Sequence, residues 1–183
     1  DNYMDCPDRE RAQWWGDEVN ELGEAFYALS PSGQKLAVKG IHELMNWQRE
    51  DGTLYAPVPA GNWDKELPLQ MLASIGWYGF YTQYYYSADS SFVPVIYDRM
   101  RSYLHKVWQV DKSGLVIERQ GAWSWGDWGE HVDMGVLTNC WYYLALKAER
   151  AFALQLGKDK DADEISRMMR SIERCFDTKF WTG

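Results

Sequence analysis

VDMGVLTNCWYYLALKAERAFALQLGKDKDADEISRMMRSIERCFDTKF, residues Val132 to Phe180, decides the fold. Leu137, Cys140, Trp141 and Leu144 recur at the spacing of one helix face, which predicts a helix over about Val132 to Leu156. Gly157 stops it. Ile165, Met168, Met169 and Ile172 repeat the spacing and predict a second helix over about Asp159 to Phe180. Two long amphipathic helices joined by so short a turn must fold back on each other as a hairpin.

The same period runs back towards the N-terminus. Leu22, Ala25, Phe26 and Leu29 mark a helix that Ser30-Pro31 ends, because the residue before proline avoids helical geometry. A second helix is expected over Gly33 to Arg49, with Ile41, Leu44 and Met45 on one face. Residues Thr53 to Lys65, with two Pro and one Gly, form a loop. A helix from Glu66 to Ser87 is apolar nearly all round and should be buried on most sides. Ala88-Asp89-Ser90 breaks it, with Asp89 a candidate N-cap. Another helix follows over Ser91 to Gln109, with Pro94 in its first turn. Leu115 to Arg119 form a short extended piece, and Gly121 to Gly129 a Gly/Trp-rich loop. The expectation is one all-α unit of six helices in three consecutive hairpins.

Composition narrows the function. The net charge of −8 and the lack of a Lys/Arg cluster exclude a nucleic-acid footprint and disfavour an anionic membrane surface. No apolar run reaches the roughly eighteen residues that span a bilayer, so no membrane insertion is expected. Three widely spaced cysteines imply no disulfide framework, and Cys140 and Cys175 are expected in the core. The three histidines have no ligand spacing to a cysteine, so no zinc or other metal site is expected. Eleven Trp and twelve Tyr are unusual. Most must be core, yet flat rings also suit the apolar faces of sugars.

The chemistry concentrates at the N-terminus. Asp1, Asp5, Asp8, Glu10, Asp17 and Glu18 stand beside Trp14 and Trp15. Glycoside hydrolysis needs two carboxyl groups, one with a raised pKa to protonate the leaving oxygen. Burial against rings supplies such a shift. If the first helix reaches back to Glu10, then Glu10, Trp14 and Asp17 share one face. The same features also suit a plain helix start, with acids meeting the helix dipole and adjacent tryptophans in the core.

Asp5-Cys6-Pro7, Arg9, Glu10, Trp14 and Gly16-Asp17 resemble, in order, the signature of the α-L-rhamnosidase family of inverting glycoside hydrolases. Ser124 to Trp128 (SWGDW), ahead of a helix with paired Tyr142-Tyr143, and the segment from Trp63 to Tyr85 are similar to two further family segments. The resemblance implies an α/α toroid of six helical hairpins, with the active site at its mouth and no cofactor. Three hairpins would be about half of that barrel, so residues 1–183 are expected to be part of a single catalytic domain that continues past the C-terminus. Apolar inner faces should then lie uncovered.

By motif position, Glu10 corresponds to the general acid. Asp5, Arg9 and Asp17 correspond to groups that hold rhamnose hydroxyls, and Trp14 to a ring platform. Asp127, Trp63 and Trp125 are expected sugar contacts. Trp15 stands where the family often has a small residue and would reshape the pocket. The family's general base is a glutamate that would lie beyond residue 183; within the chain Glu66, Asp127, Glu130 and Asp133 are alternatives. The expected partner is a rhamnose-containing glycan or glycoside, met in the periplasm or outside the cell. Two other readings stay open: a carbohydrate-binding protein without turnover, and another α/α-barrel glycosidase or a polysaccharide lyase using His131 or Tyr142.

Overall fold

The computed structural model describes residues 1–59, 64–119, 122–126 and 128–181. Its helices are α1 (Trp15–Ala28), α2 (Pro31–Asn46), α3 (Pro68–Ile75), α4 (Phe80–Ser87), α5 (Val93–Ser102), α6 (Met134–Gln155) and α7 (Asp159–Phe180). A π-helical turn, Tyr103–Val107, continues α5. Among the described residues no strand forms; two isolated bridges pair Trp14 with Pro57 and Val110 with Val116.

The α6–α7 hairpin forms as its period requires. Asp133 caps α6 by accepting from Val136 N at 3.0 Å. Gly157, at φ 68°, turns the chain between the helices. The buried face of α6 differs from the expected one. Thr138, Tyr142, Ala145, Ala148, Glu149 and Phe152 are buried, whereas Cys140 is exposed and Leu137, Trp141 and Leu144 are half-buried. Cys140 is therefore not a core cysteine. Cys175 is half-buried, with Sγ donating to Ser113 O at 3.3 Å. The helix carries apolar residues on two sides, and packing against α3 and α7 buries the side that holds Tyr142, Ala145, Ala148 and Phe152.

The long helix expected over Glu66 to Ser87 is two helices. Trp77 N leaves the helical pattern and donates to Leu144 O of α6 at 3.2 Å. At Gly76 a Cβ would lie 2.9 Å from Ala145 Cα, and at Gly79 one would lie 1.9 Å from Ser74 O. Backbone approaches backbone at this bend, and only glycine fits. The helix expected to run to Gln109 switches to π geometry at Tyr103. There the Tyr142 hydroxyl donates to Leu104 O at 2.9 Å, drawing that carbonyl towards a side chain. The first helix begins only at Trp15, and α2 begins at Pro31 rather than Gly33, as suits a proline at the first helical position.

The helices pack pairwise in chain order and across it. α3 lies between α1 and α6, while α2 packs on α1 and α4, α5 on α6, and α7 on α6. Between them sit fully buried Trp15, Phe80, Phe92, Tyr97, Tyr103, Tyr142 and Phe152. Burial of each large side chain is worth roughly 1.5–3 kcal/mol or more, so these rings dominate the core. The described residues form an all-α array of helical hairpins. At the C-terminal ends of α1 and α4, Phe26, Tyr27, Tyr85 and Tyr86 touch ring to ring in one aromatic surface, with Tyr27 82% and Tyr85 68% exposed. No helix of the described residues is long and apolar enough to cross a membrane.

Candidate active site

Three connecting segments meet where α1, α3 and α6 begin. Residues 1–14 are laced to the loop after α2: Gln13 N donates to Pro59 O at 3.3 Å, Val58 N to Gln13 O at 3.0 Å and Trp15 N to Ala56 O at 2.9 Å. Gln13 Nε2 adds bonds to Val58 O and Glu43 Oε2. The α5–α6 connection comes alongside through Arg119, bonded to Glu66, and through Trp125, which lines a groove with Gly16 and Trp141.

The opening stretch is a loop rather than a helical face, so Glu10, Trp14 and Asp17 are not placed by a helical repeat. Asp5 N donates to Ala12 O and Ala12 N to Asp5 Oδ1, both at 3.0 Å, closing the loop. Arg11, at φ 51°, donates through Nε to Pro7 O at 2.7 Å and holds the return. Inside the loop Cys6 Sγ donates to Glu10 Oε2 at 3.1 Å, and Arg9 Nε lies 3.5 Å from the same oxygen. Asp5, Cys6 and Glu10 each place one oxygen or sulfur atom within 4.8 Å of the others. Burial raises the Asp5 carboxyl, but hydrogen bonds from Cys6 and from the Ala12 and Cys6 backbone outweigh it and leave Asp5 below the usual carboxylate range.

Asp5, Arg9 and Glu10 are thus brought together directly. Trp14 is half-buried at the bridge to Pro57, and Asp17 is exposed in the first turn of α1. Trp15 is fully buried edge-on to Phe80, with centroids 5.8 Å apart, so it belongs to the core and does not shape a pocket. Trp125 lies beside Gly16 and Asn20 in a groove of about 280 Å³, stacked on Trp123 and edge-on to Trp128. Trp63 and Asp127 lie outside the described residues.

Two alternative bases are occupied. Glu66 accepts from Arg119 at 2.6 and 2.9 Å and from the Tyr103 hydroxyl at 3.0 Å, and Asp133 caps α6. Glu130 is exposed. His131 is exposed at φ 57°, and Tyr142 is buried with its hydroxyl on a main-chain carbonyl.

An acidic group behind the loop was not anticipated. Glu18 is 1% exposed and neither oxygen has a hydrogen-bond partner. Burial pushes its pKa up to about 9, with the charges of Glu21 and Glu43 adding. Carboxylates cannot bond one another, but a protonated Glu18 can donate to Glu21. Glu21 is raised by burial and by the charges of Asp17, Glu24 and Asp5, which puts both motif aspartates within its electrostatic reach. Tyr3 is pushed up to about 12 by burial and by Glu18 and Glu21. Glu18 was detectable in the sequence as an acid at i−1 and i−4 to the apolar positions Val19 and Leu22.

Asp5, Arg9 and Glu10 meet in one closed loop ahead of α1, in an all-α array of helical hairpins. A family model for the bacterial α-L-rhamnosidase six-hairpin glycosidase domain matches residues 1–183, and the chain belongs to that family. The fold is similar to that of a solved α-L-rhamnosidase from Dictyoglumus thermophilum, with a TM-score of 0.78 and 19% identity over 99% of this chain and 20% of that one. The chain therefore spans a fifth of the length of that protein. No curated protein matches it.

Proposed function

We propose that this chain carries the general-acid wall of an inverting α-L-rhamnosidase, with Glu10 as the acid. The observation that supports this most is the gathering of Asp5, Arg9 and Glu10 within one closed loop, which the lacing to residues 56–59 holds at the ends of α1 and α3. Glu10 gives its proton to the glycosidic oxygen as the bond to the anomeric carbon breaks. A water attacks that carbon from the opposite face and loses its proton to a carboxylate. The family resemblance assigns that base to a glutamate later in the domain; of the alternatives within the chain, Glu66 and Asp133 are already committed to Arg119 and to the α6 cap.

Asp5 and Asp17 accept from sugar hydroxyls, Arg9 donates to them, and Trp14 and Trp125 cover the methyl-bearing face of the deoxy sugar. An ionised Asp5 suits the acceptor role, and its lowered pKa keeps it ionised in mildly acidic solution. The substrate is a terminal α-L-rhamnoside.

The test is hydrolysis of an aryl α-L-rhamnoside by the full-length polypeptide that contains this chain. Glu10→Gln should lower turnover on the activated substrate, and by roughly a hundredfold or more on a poor leaving group. Proton NMR should show the inverted anomer forming first. Undiminished turnover in Glu10→Gln, or retention of configuration, would overturn the assignment. Binding of rhamnose without turnover in the parent would favour a carbohydrate-binding protein.

A further inference from the structure

Gln13 stands at the base of the closed loop, next to the Ala12 that pairs with Asp5, and is 2% exposed. Its main chain bonds to Pro59 and Val58. Its side-chain Nε2 donates to Val58 O and, at 3.3 Å, to Glu43 Oε2 of α2. Two acceptors on one side fix the amide nitrogen there. The amide oxygen is turned the other way, and among the described residues it has no hydrogen-bond partner.

Glu18 faces the same place. A Cβ on Gly40 would lie 3.3 Å from Gln13 Oε1 and 3.4 Å from Glu18 Oε1, so both oxygens point at one spot on the bare backbone of α2. Both Glu18 oxygens are buried and without a partner among the described residues. Buried acceptors set together without a donor are costly, and a proton on Glu18 supplies the donor.

The groups around Glu18 favour that proton. Glu21 lies on the same helix, Tyr3 on the opening segment and Glu43 on α2. Of the cations on α2, Lys39 is paired with Glu43, Lys35 is exposed and His42 acts on Asp89. Helix α3 carries no titratable side chain, and those of α4 are tyrosines. Burial, with the charges of Glu21 and Glu43, keeps Glu18 neutral up to about pH 9.

Gln13 thus stands between two carboxyl groups and can give its N–H groups to one side only. With Glu18 protonated, the acid is a donor towards the amide oxygen, and Nε2 stays on Val58 O. With Glu18 ionised, a carboxylate faces that oxygen. Turning the amide over brings its N–H groups to Glu18, but sets its oxygen against Val58 O and Glu43 and loosens the loop from the segment after α2.

We propose that the proton on Glu18 fixes the sense of the Gln13 amide, which makes Glu18 a positioning residue for the loop that carries Asp5, Arg9 and Glu10. The catalytic consequence rests on the rhamnosidase reading above; the coupling of Glu18 to Gln13 does not.

The experiment is hydrogen–deuterium exchange by mass spectrometry on the full-length parent polypeptide and its Glu18→Gln variant, at pH 7 and pH 9.5, read as protection factors. In the native protein the amides of Gln13, Trp15 and Val58 should lose protection at the higher pH by about fivefold or more relative to amides within α6, the scale of one hydrogen bond. Glu18→Gln stays neutral and still donates, so its protection should hold. In parallel, KM for 2,4-dinitrophenyl α-L-rhamnoside, whose leaving group needs no proton, should rise over this interval in the native protein and not in the variant, because Asp5 and Arg9 move with the loop. Three results overturn the proposal: no loss of protection in the native protein, equal loss in both proteins, or a loss spread evenly over α6. The native comparison decides by itself if Glu18→Gln does not fold. Absence of any turnover in the native protein is a different outcome, which removes the rhamnosidase reading and leaves the exchange data to decide the role of Glu18.

Discussion

Cys6 donates its thiol proton to Glu10 Oε2 across 3.1 Å. The bond joins the residue that opens the loop to the proposed acid four positions on. The same thiol also lowers Asp5. Cys6→Ala removes a donor worth about 1 kcal/mol or less, and Asp5 should titrate closer to its ordinary value. The acid limb of the pH–rate profile should shift upward with only a several-fold loss at the optimum. An unchanged profile would show that the thiol does not set the electrostatics of the loop.

Glu18 makes stability fall as pH rises. Its unfolded value is near 4.5, and its folded value is pushed up to about 9. Between those values the folded state holds a proton that the unfolded state has released, so the contribution is full below about pH 4.5 and is lost on the way to pH 9. Glu18→Gln keeps the shape and removes the titration. Its melting temperature should exceed the native one at pH 8 and approach it at pH 5. The underlying difference is on the order of 2–4 kcal/mol across that window. Parallel melting curves for both proteins at both pH values would refute this.

Glu66 and Arg119 form a largely buried pair, with side chains 7% and 15% exposed. Arg119→Met leaves a buried carboxylate with only a tyrosine hydroxyl, which should cost about 3–5 kcal/mol in urea unfolding. Adding Glu66→Leu should restore much of the loss, because the unpaired charge disappears with it. A double variant no better than the single one would show that packing, not charge, sets the cost.

Gly79→Ala tests the bend. In a continuous helix the substitution would stabilise by about 1 kcal/mol. Here the new Cβ would lie 1.9 Å from a main-chain oxygen. The backbone must shift, and destabilisation of about 2 kcal/mol or more is expected by chemical denaturation.

The sequence and the structure agree where one element determines its own shape. The α6–α7 hairpin follows from period, a capping aspartate and a glycine turn. They part where a second element intervenes. Trp77, Tyr81 and Tyr84 continue the helical period through the bend, because aromatic rings bury themselves on either side of it. What breaks the helix is the main chain of Ala145, distant in sequence. The motif at Asp5 to Asp17 was legible as a set of residue types, but its form as a closed loop was not. Its bonds run from Asp5 to Ala12 and out to Ala56, Val58 and Pro59, and no local pattern encodes such partners. Glu18 stood in plain view, yet its burial depends on α2 packing over it.

The lacing of Gln13 and Trp15 to Ala56, Val58 and Pro59 separates what touches substrate from what determines catalytic geometry. The loop with Glu10 has no regular structure of its own; its shape is borrowed from a segment some forty-five residues away. In a deep mutational scan scored on turnover, positions 56–59 should therefore rank with the proposed acid, Glu10. A search for improved variants would find its leverage there as readily as in the pocket.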